Sequence, residues 1–216
     1  MVSAKEIVEL QDRMTIRWHV ELDAGSEGSP AVPSTDAGEG NKSDEHWLEQ
    51  VARQHRANFD LWHIEDEARA PSATDAEIAR LKRRVDITNQ LRNDLAEALD
   101  RTLLGRLESR GLPNPAAPLH SETPGMIVDR LSILSLKIYH TREEAERADA
   151  PPGHAERNRE RLAILEEQRA DLAACLDALW RETLSCTRRF KLCRQLKMYN
   201  DPSLNPAIYG KGVAPH

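Results

Sequence analysis

The sequence predicts an all-α protein: an antiparallel bundle of four main helices, with a short N-terminal helix before it and an irregular C-terminal tail after it. Three observations predict this. Apolar residues recur at three- and four-residue spacing over four long stretches. Capping and stop residues punctuate those stretches. No run alternates as a half-buried strand does.

The first helical stretch spans about residues 3 to 18, with Ile7, Val8, Leu10, Met14 and Ile16 as its apolar positions. Residues 1–22 are assigned to this short helix. Residues 23–44 are rich in Gly, Ser, Pro and acidic side chains, have almost nothing to bury, and read as a mobile linker. Residues 45–209 are expected to form the bundle and 210–216 a tail. The first main helix runs from about Glu45, behind Ser43 or Asp44 as cap, to Arg69, where Pro71 stops it. Thr74-Asp75-Ala76-Glu77 is a capping box that opens the second, whose apolar series is Ile78, Leu81, Val85, Leu95, Leu99 and Leu103. Gly111, Pro113, Pro115 and Pro118 mark a loop. Thr123 caps the third helix, and Pro124 takes its first position, where a missing N–H is harmless. That helix is expected to reach Ala148. Pro151-Pro152-Gly153 makes a turn, the fourth helix covers about His154 to Thr187, and a further helical stretch is expected over Arg188 to Met198.

With 30 Lys and Arg against 36 Asp and Glu, the formal net charge is −6. That balance makes nucleic acid an unlikely partner, since phosphate-backbone binding needs a basic footprint. No apolar run approaches the roughly 18 residues of a membrane span, and the first residues lack the layout of a signal peptide. These features predict a cytoplasmic protein with no transmembrane segment. Cys175, Cys186 and Cys193 have no knuckle spacing and are expected to be buried small hydrophobes.

Helical phase reveals polar residues on core faces. His55, Asn58, Asp66 and Arg69 fall on or beside the face that carries Trp47, Leu48, Val51, Phe59 and Trp62. On the next helix Asp86, Asn89, Asn93, Glu97 and Asp100 make one stripe headed by Lys82, and Arg92 interrupts the apolar stripe. The third helix is apolar on two sides, and its second side also holds Asp129, Lys137 and His140, which places it centrally. Buried groups of this kind must pair with one another, with water, or with a metal or ligand. A self-satisfied network and an internal pocket are both open readings.

The same residues carry a resemblance. Gln54-His55-Arg56-Ala57-Asn58-Phe59-Asp60-Leu61-Trp62-His63, Asn89-Gln90-Leu91-Arg92-Asn93-Asp94 and the run Glu122 to His140 resemble signatures of the bacterial domain-of-unknown-function 4254 family. The early Thr15-Ile16-Arg17-Trp18-His19 and the late Gln195 to Pro202 also match. The resemblance implies no activity. It implies a setting near cell-surface polysaccharide synthesis and a glycosyltransferase as a possible partner.

Several chemistries compete. A pocket for a small anionic or sugar-phosphate ligand would use Arg69, Arg92 and Lys137 to hold the anion and His55 or His140 to move a proton. Asp66 and Asp129 would orient the histidines, while Asn58, Trp62, Asp86, Asn89 and Asn93 would line the site. A pyrophosphohydrolase-like enzyme would hold Mg²⁺ through Asp66, Glu97 and Asp100. A transition-metal site could draw on His55, His63 and His140 with Asp66 and Glu97, but His55 and His63 point to different helix faces and no helix carries a His-x-x-x-His pair. Trp18 and His19 could fold back to cap a pocket. A non-catalytic accessory role, docking through the basic segment Arg188 to Lys197, is the remaining class.

Overall fold

A computed structural model describes residues 2–25, 42–196, 203, 204 and 206. Five helices follow in order: α1 (Ala4–Asp23), α2 (Lys42–Arg69), α3 (Asp75–Glu108), α4 (Pro124–Glu146) and α5 (His154–Leu184). Among the described residues no strand occurs and no helix is long and apolar enough to cross a membrane. Most of the linker expected before Asp44, and most of the tail after Leu196, lie outside the described residues.

Local chemistry sets the helix starts. Ser3 and Glu6 form a capping box on α1, with Ser3 N–H donating to Glu6 Oε2 at 2.8 Å, and Thr74 and Glu77 do the same on α3 at 2.9 Å. On α4, Thr123 Oγ1 accepts from Met126 N–H and Pro124 holds the first position. The α5 start follows Gly153 at φ 76°, a left-handed conformation that glycine adopts freely.

Short connections make hairpins of α2 with α3 and of α4 with α5, and these pairs pack most extensively. As its two apolar sides predict, α4 is central and touches all four other helices. At the α3–α4 crossing, a Cβ on Gly125 would sit 2.3 Å from the Ala96 carbonyl oxygen, so only glycine permits the approach. The N-terminal helix is longer than the sequence pattern indicates. It has 20 residues and buries Ile7, Leu10, Met14 and Trp18 in the same core as Val51, Phe59, Leu99, Leu131 and Leu176.

Two expectations are corrected. Residues 188–196 are not helical: Cys186 adopts φ 64°, and the chain then pairs with the loop before α4. Arg189 N–H donates to the Pro118 carbonyl, His120 N–H donates to the Arg189 carbonyl, and Phe190 is buried. The apolar anchor that mimicked helical periodicity is a tertiary contact. The three cysteines are exposed instead of buried, because Cys175 lies on an outer face of α5, Cys186 in the turn that ends α5 and Cys193 in the extended segment.

Candidate functional site

Three polar groupings stand out in the structure: an interior network, an outer groove and a histidine cluster. The network is centred on Asp129, which is 8% exposed. Its Oδ1 accepts from Gln54 Nε2 at 2.6 Å, Asn58 Nδ2 at 3.0 Å and Arg92 Nε at 2.8 Å, and its Oδ2 accepts from Arg92 Nη2 at 2.6 Å. This paired, planar grip raises the Arg92 pKa against the opposing effect of burial. Asn58 Nδ2 also donates to Ser132 Oγ at 2.9 Å.

The network continues through His55. Thr15 donates its hydroxyl to the Gln11 carbonyl at 2.9 Å, so its oxygen receives the Nε2–H of His55, also at 2.9 Å. Nδ1 of His55 is then the acceptor for Ser132 Oγ at 2.7 Å. Both ring nitrogens are satisfied in one tautomer. The ring has no exposure, and burial pushes its pKa down to about 3. His55 therefore cannot meet a ligand, and its expected partner Asp66 lies instead on the exposed side of α2.

A second set of predicted residues does come together. Asn58, Trp62, Asp66, Arg69 and Arg92 line a groove of about 390 Å³ with Leu61, Glu65, Ile133 and Leu136. Its charges cancel. Arg69 pairs with Glu65 at 3.0 Å and Asp66 at 3.8 Å, and Arg92 is taken by Asp129.

The other predicted residues lie elsewhere. Asp86 pairs with Lys82 along α3. Asn93 Nδ2 donates to the Asn89 carbonyl at 2.7 Å, within that helix. Lys137 lines a separate cleft of about 720 Å³ between α4 and α5. Glu97 accepts from Arg101 and from Gln195 N–H. Asp100 accepts from Gly125 N–H at 2.7 Å at the start of α4, and burial raises its pKa to about 6. Asp66, Glu97 and Asp100 thus do three separate jobs and do not converge on one ion.

The histidine cluster draws one residue from each of three helices: His19 near the end of α1, His63 on α2 and His140 on α4. One ring nitrogen of each lies within 4.8 Å of the other two. The hydrogen bonds identify which nitrogen is left for a ligand. His19 Nδ1 bonds the Thr15 carbonyl at 2.8 Å, His63 Nδ1 bonds the Phe59 carbonyl at 2.8 Å, and His140 Nδ1 bonds Glu143 Oε2 at 2.9 Å. Carbonyls and carboxylates only accept, so each Nδ1 carries a proton, and in the neutral ring Nε2 is the nitrogen with the lone pair. Nε2 of His19 and of His140 is buried without a partner.

Aromatic rings fix these imidazoles. Tyr139 stacks on His19 at 4.2 Å, Trp62 stacks on His140 at 4.7 Å, and Phe59 packs on His63 at 4.3 Å. Burial lowers the pKa of His19 and of His140, which keeps both rings neutral. Burial, followed by the Glu143 carboxylate, pushes the Tyr139 phenol up to about 12. His63 also lines a cleft of about 450 Å³ with Leu22, Phe59 and Glu67.

Sequence reasoning grouped His63 and His140 with His55 as metal ligands and gave His19 only a capping role, and so missed that His19 takes the place of His55. A signal was present: each of the three histidines directly follows an aromatic residue, as Trp18-His19, Trp62-His63 and Tyr139-His140. The class these features define is an all-α bundle with a three-imidazole cluster toward the ends of α1, α2 and α4. Residues 48–192 match the model of the family described as protein of unknown function (DUF4254), and the chain belongs to that family. No curated protein and no solved structure matches it.

Proposed function

We propose that this protein holds one divalent transition-metal ion, with zinc as the first choice, through Nε2 of His19, His63 and His140. The observation that carries this reading is that ring nitrogens of the three histidines lie within 4.8 Å of one another while all three Nδ1 are already committed, which leaves Nε2 of each for an ion. Metal-bound histidines characteristically donate their other N–H to a carbonyl or carboxylate, and that bond fixes both tautomer and ring orientation. Imidazole suits zinc, copper, iron and nickel more than Mg²⁺, which prefers oxygen ligands.

Among the described residues no fourth His, Cys, Asp or Glu joins the group. Three protein ligands and an open fourth position characterise zinc sites that bind a water or a substrate oxygen, whereas structural sites are closed by four. A zinc ion so held would lower the pKa of a bound water toward 7 or polarise a bound oxygen. An anionic ligand, in this reading, meets the ion directly. The groove beside Trp62 offers it little attraction, because Arg69 and Arg92 are already neutralised.

The test is metal content and affinity of the full chain after chelator treatment and re-addition of zinc. One ion per chain is expected, and His19→Ala, His63→Ala and His140→Ala should each weaken binding by about 100-fold or more, since loss of even an outer-shell partner costs 10–100-fold. Wild-type protein that takes up no zinc, cobalt, nickel or copper above the level of the triple variant would defeat the proposal.

A further inference from the structure

The outer face of α3 carries a feature that the metal site does not use. Ile87 is 70% exposed and Leu91 50% exposed, four residues apart in the middle of a 34-residue helix. With Arg83, Asp86, Gln90 and Asp94 they line a shallow depression of about 600 Å³. Arg83, Ile87, Gln90 and Asp94 follow a four-three-four spacing, which is the period of a helix–helix seam. No other described helix covers this seam.

The charges along it are ordered. Arg83 stands at the N-terminal end of the stripe and Asp94 at the other; among the described residues Arg83 forms no ion pair and Asp94 accepts from Gln90 of its own helix. The arrangement is its own complement. Laid against an antiparallel copy of itself, with a two-fold axis passing between Thr88 and Asn89, Arg83 meets Asp94 of the second copy and Asp94 meets its Arg83. On the same axis Ile87 and Leu91 fall beside the apolar positions of the other helix, which removes both from water. A parallel pairing would oppose Arg83 to Arg83 and Asp94 to Asp94. Isologous contacts of this type close on themselves and give dimers.

We infer that the protein forms an antiparallel dimer through the Arg83–Asp94 face of α3. Exposed ion pairs contribute little energy each, so the apolar pair drives association and the charges set its direction. The experiment uses the full chain and three surface variants, with mass measured by light scattering or sedimentation at about 100 µM, well above micromolar dissociation constants. Wild type should run near twice the 24.4 kDa of one chain. Arg83→Glu alone and Asp94→Arg alone each place two like-charge pairs in a homodimer and should run as monomers.

Mixing these two single variants restores both opposite pairs in a heterodimer, and the double variant restores them in a homodimer, so both should regain the dimer mass. Far-ultraviolet circular dichroism confirms that each variant is folded. A monomeric wild type would overturn the inference. So would single variants that remain dimeric, or a mixture that stays monomeric.

Discussion

Replacing His55 tests whether the interior network is structural. His55 is held neutral inside the bundle with its pKa near 3, whereas the unfolded chain titrates at the ordinary 6.5. The folded value is depressed, so the unfolded state binds the proton first. The resulting stability is present above pH 6.5 and is lost as pH falls toward 3. Between pH 7 and pH 5 the loss is about 2 kcal/mol, from 1.36 kcal/mol per unit over about 1.5 units. Asp100 works in the opposite direction. Its pKa is raised from 3.8 to about 6, so the folded state takes the proton first and stability rises by about 1 kcal/mol over the same window. Acid sensitivity of the wild type alone is therefore a poor measure, and the comparison with His55→Gln isolates one group. At pH 7 the variant should be less stable by about 1–3 kcal/mol, through lost hydrogen bonds to Thr15 and Ser132. At pH 5 that gap should shrink by about 2 kcal/mol, because glutamine does not titrate. Urea unfolding at both pH values, with chelator present, measures the gap. An equal gap at pH 7 and pH 5 would show that His55 is not held neutral and that the network account is wrong.

Two further outcomes follow from the same geometry. Asp129→Asn keeps the side-chain shape but leaves Arg92, whose side chain is 23% exposed, facing no charge; urea unfolding should show a loss of about 3 kcal/mol. His140→Phe removes a buried nitrogen that has no partner in the protein while keeping a ring against Trp62. In chelator its melting temperature should match or exceed that of the wild type, and the rise that zinc gives the wild type should vanish.

Much of the fold is legible in the sequence because helix ends are local chemistry. The Thr74–Glu77 box, the Thr123-Pro124 start and the Pro-Pro-Gly turn each act within a few residues. The segment after Cys186 is not legible in this way. Its shape depends on Phe190 entering the core and on backbone pairing with a loop some 70 residues earlier in the chain. The site follows the same rule. Helical phase places His55 and Asn58 on α2 and Asp129 on α4 correctly in the core. Asp66, Arg69 and Lys137, expected on the same faces, are exposed because the faces they share turn to solvent at the helix ends or edges. Phase also says nothing about which helix answers which. His55 and Asp66 look like partners along α2, yet one is sealed inside and the other faces solvent. Arg92 finds Asp129 on α4, and His19 finds His63 and His140 across two interfaces.

The two sets of buried polar groups answer opposite demands. Around Asp129 and His55 most donors meet an acceptor inside the protein, with Gln54 Oε1 and Gln11 Oε1 left unpartnered, so the network specifies how α1, α2, α3 and α4 dock. Toward the ends of the same helices His19 and His140 each hold a buried nitrogen with no partner, a loss that a stability-only design would remove. The helices that the first set locks in register are the ones that carry the second set. His19 lies outside the 48–192 segment matched by the family model, so α1 is more than an appendage. Its Thr15 completes the network, and four residues later His19 supplies one third of the cluster. The Thr15 carbonyl that fixes the His19 ring belongs to the residue whose hydroxyl holds His55. One turn of helix thus ties the rigid interior to the imidazoles that present their lone pairs.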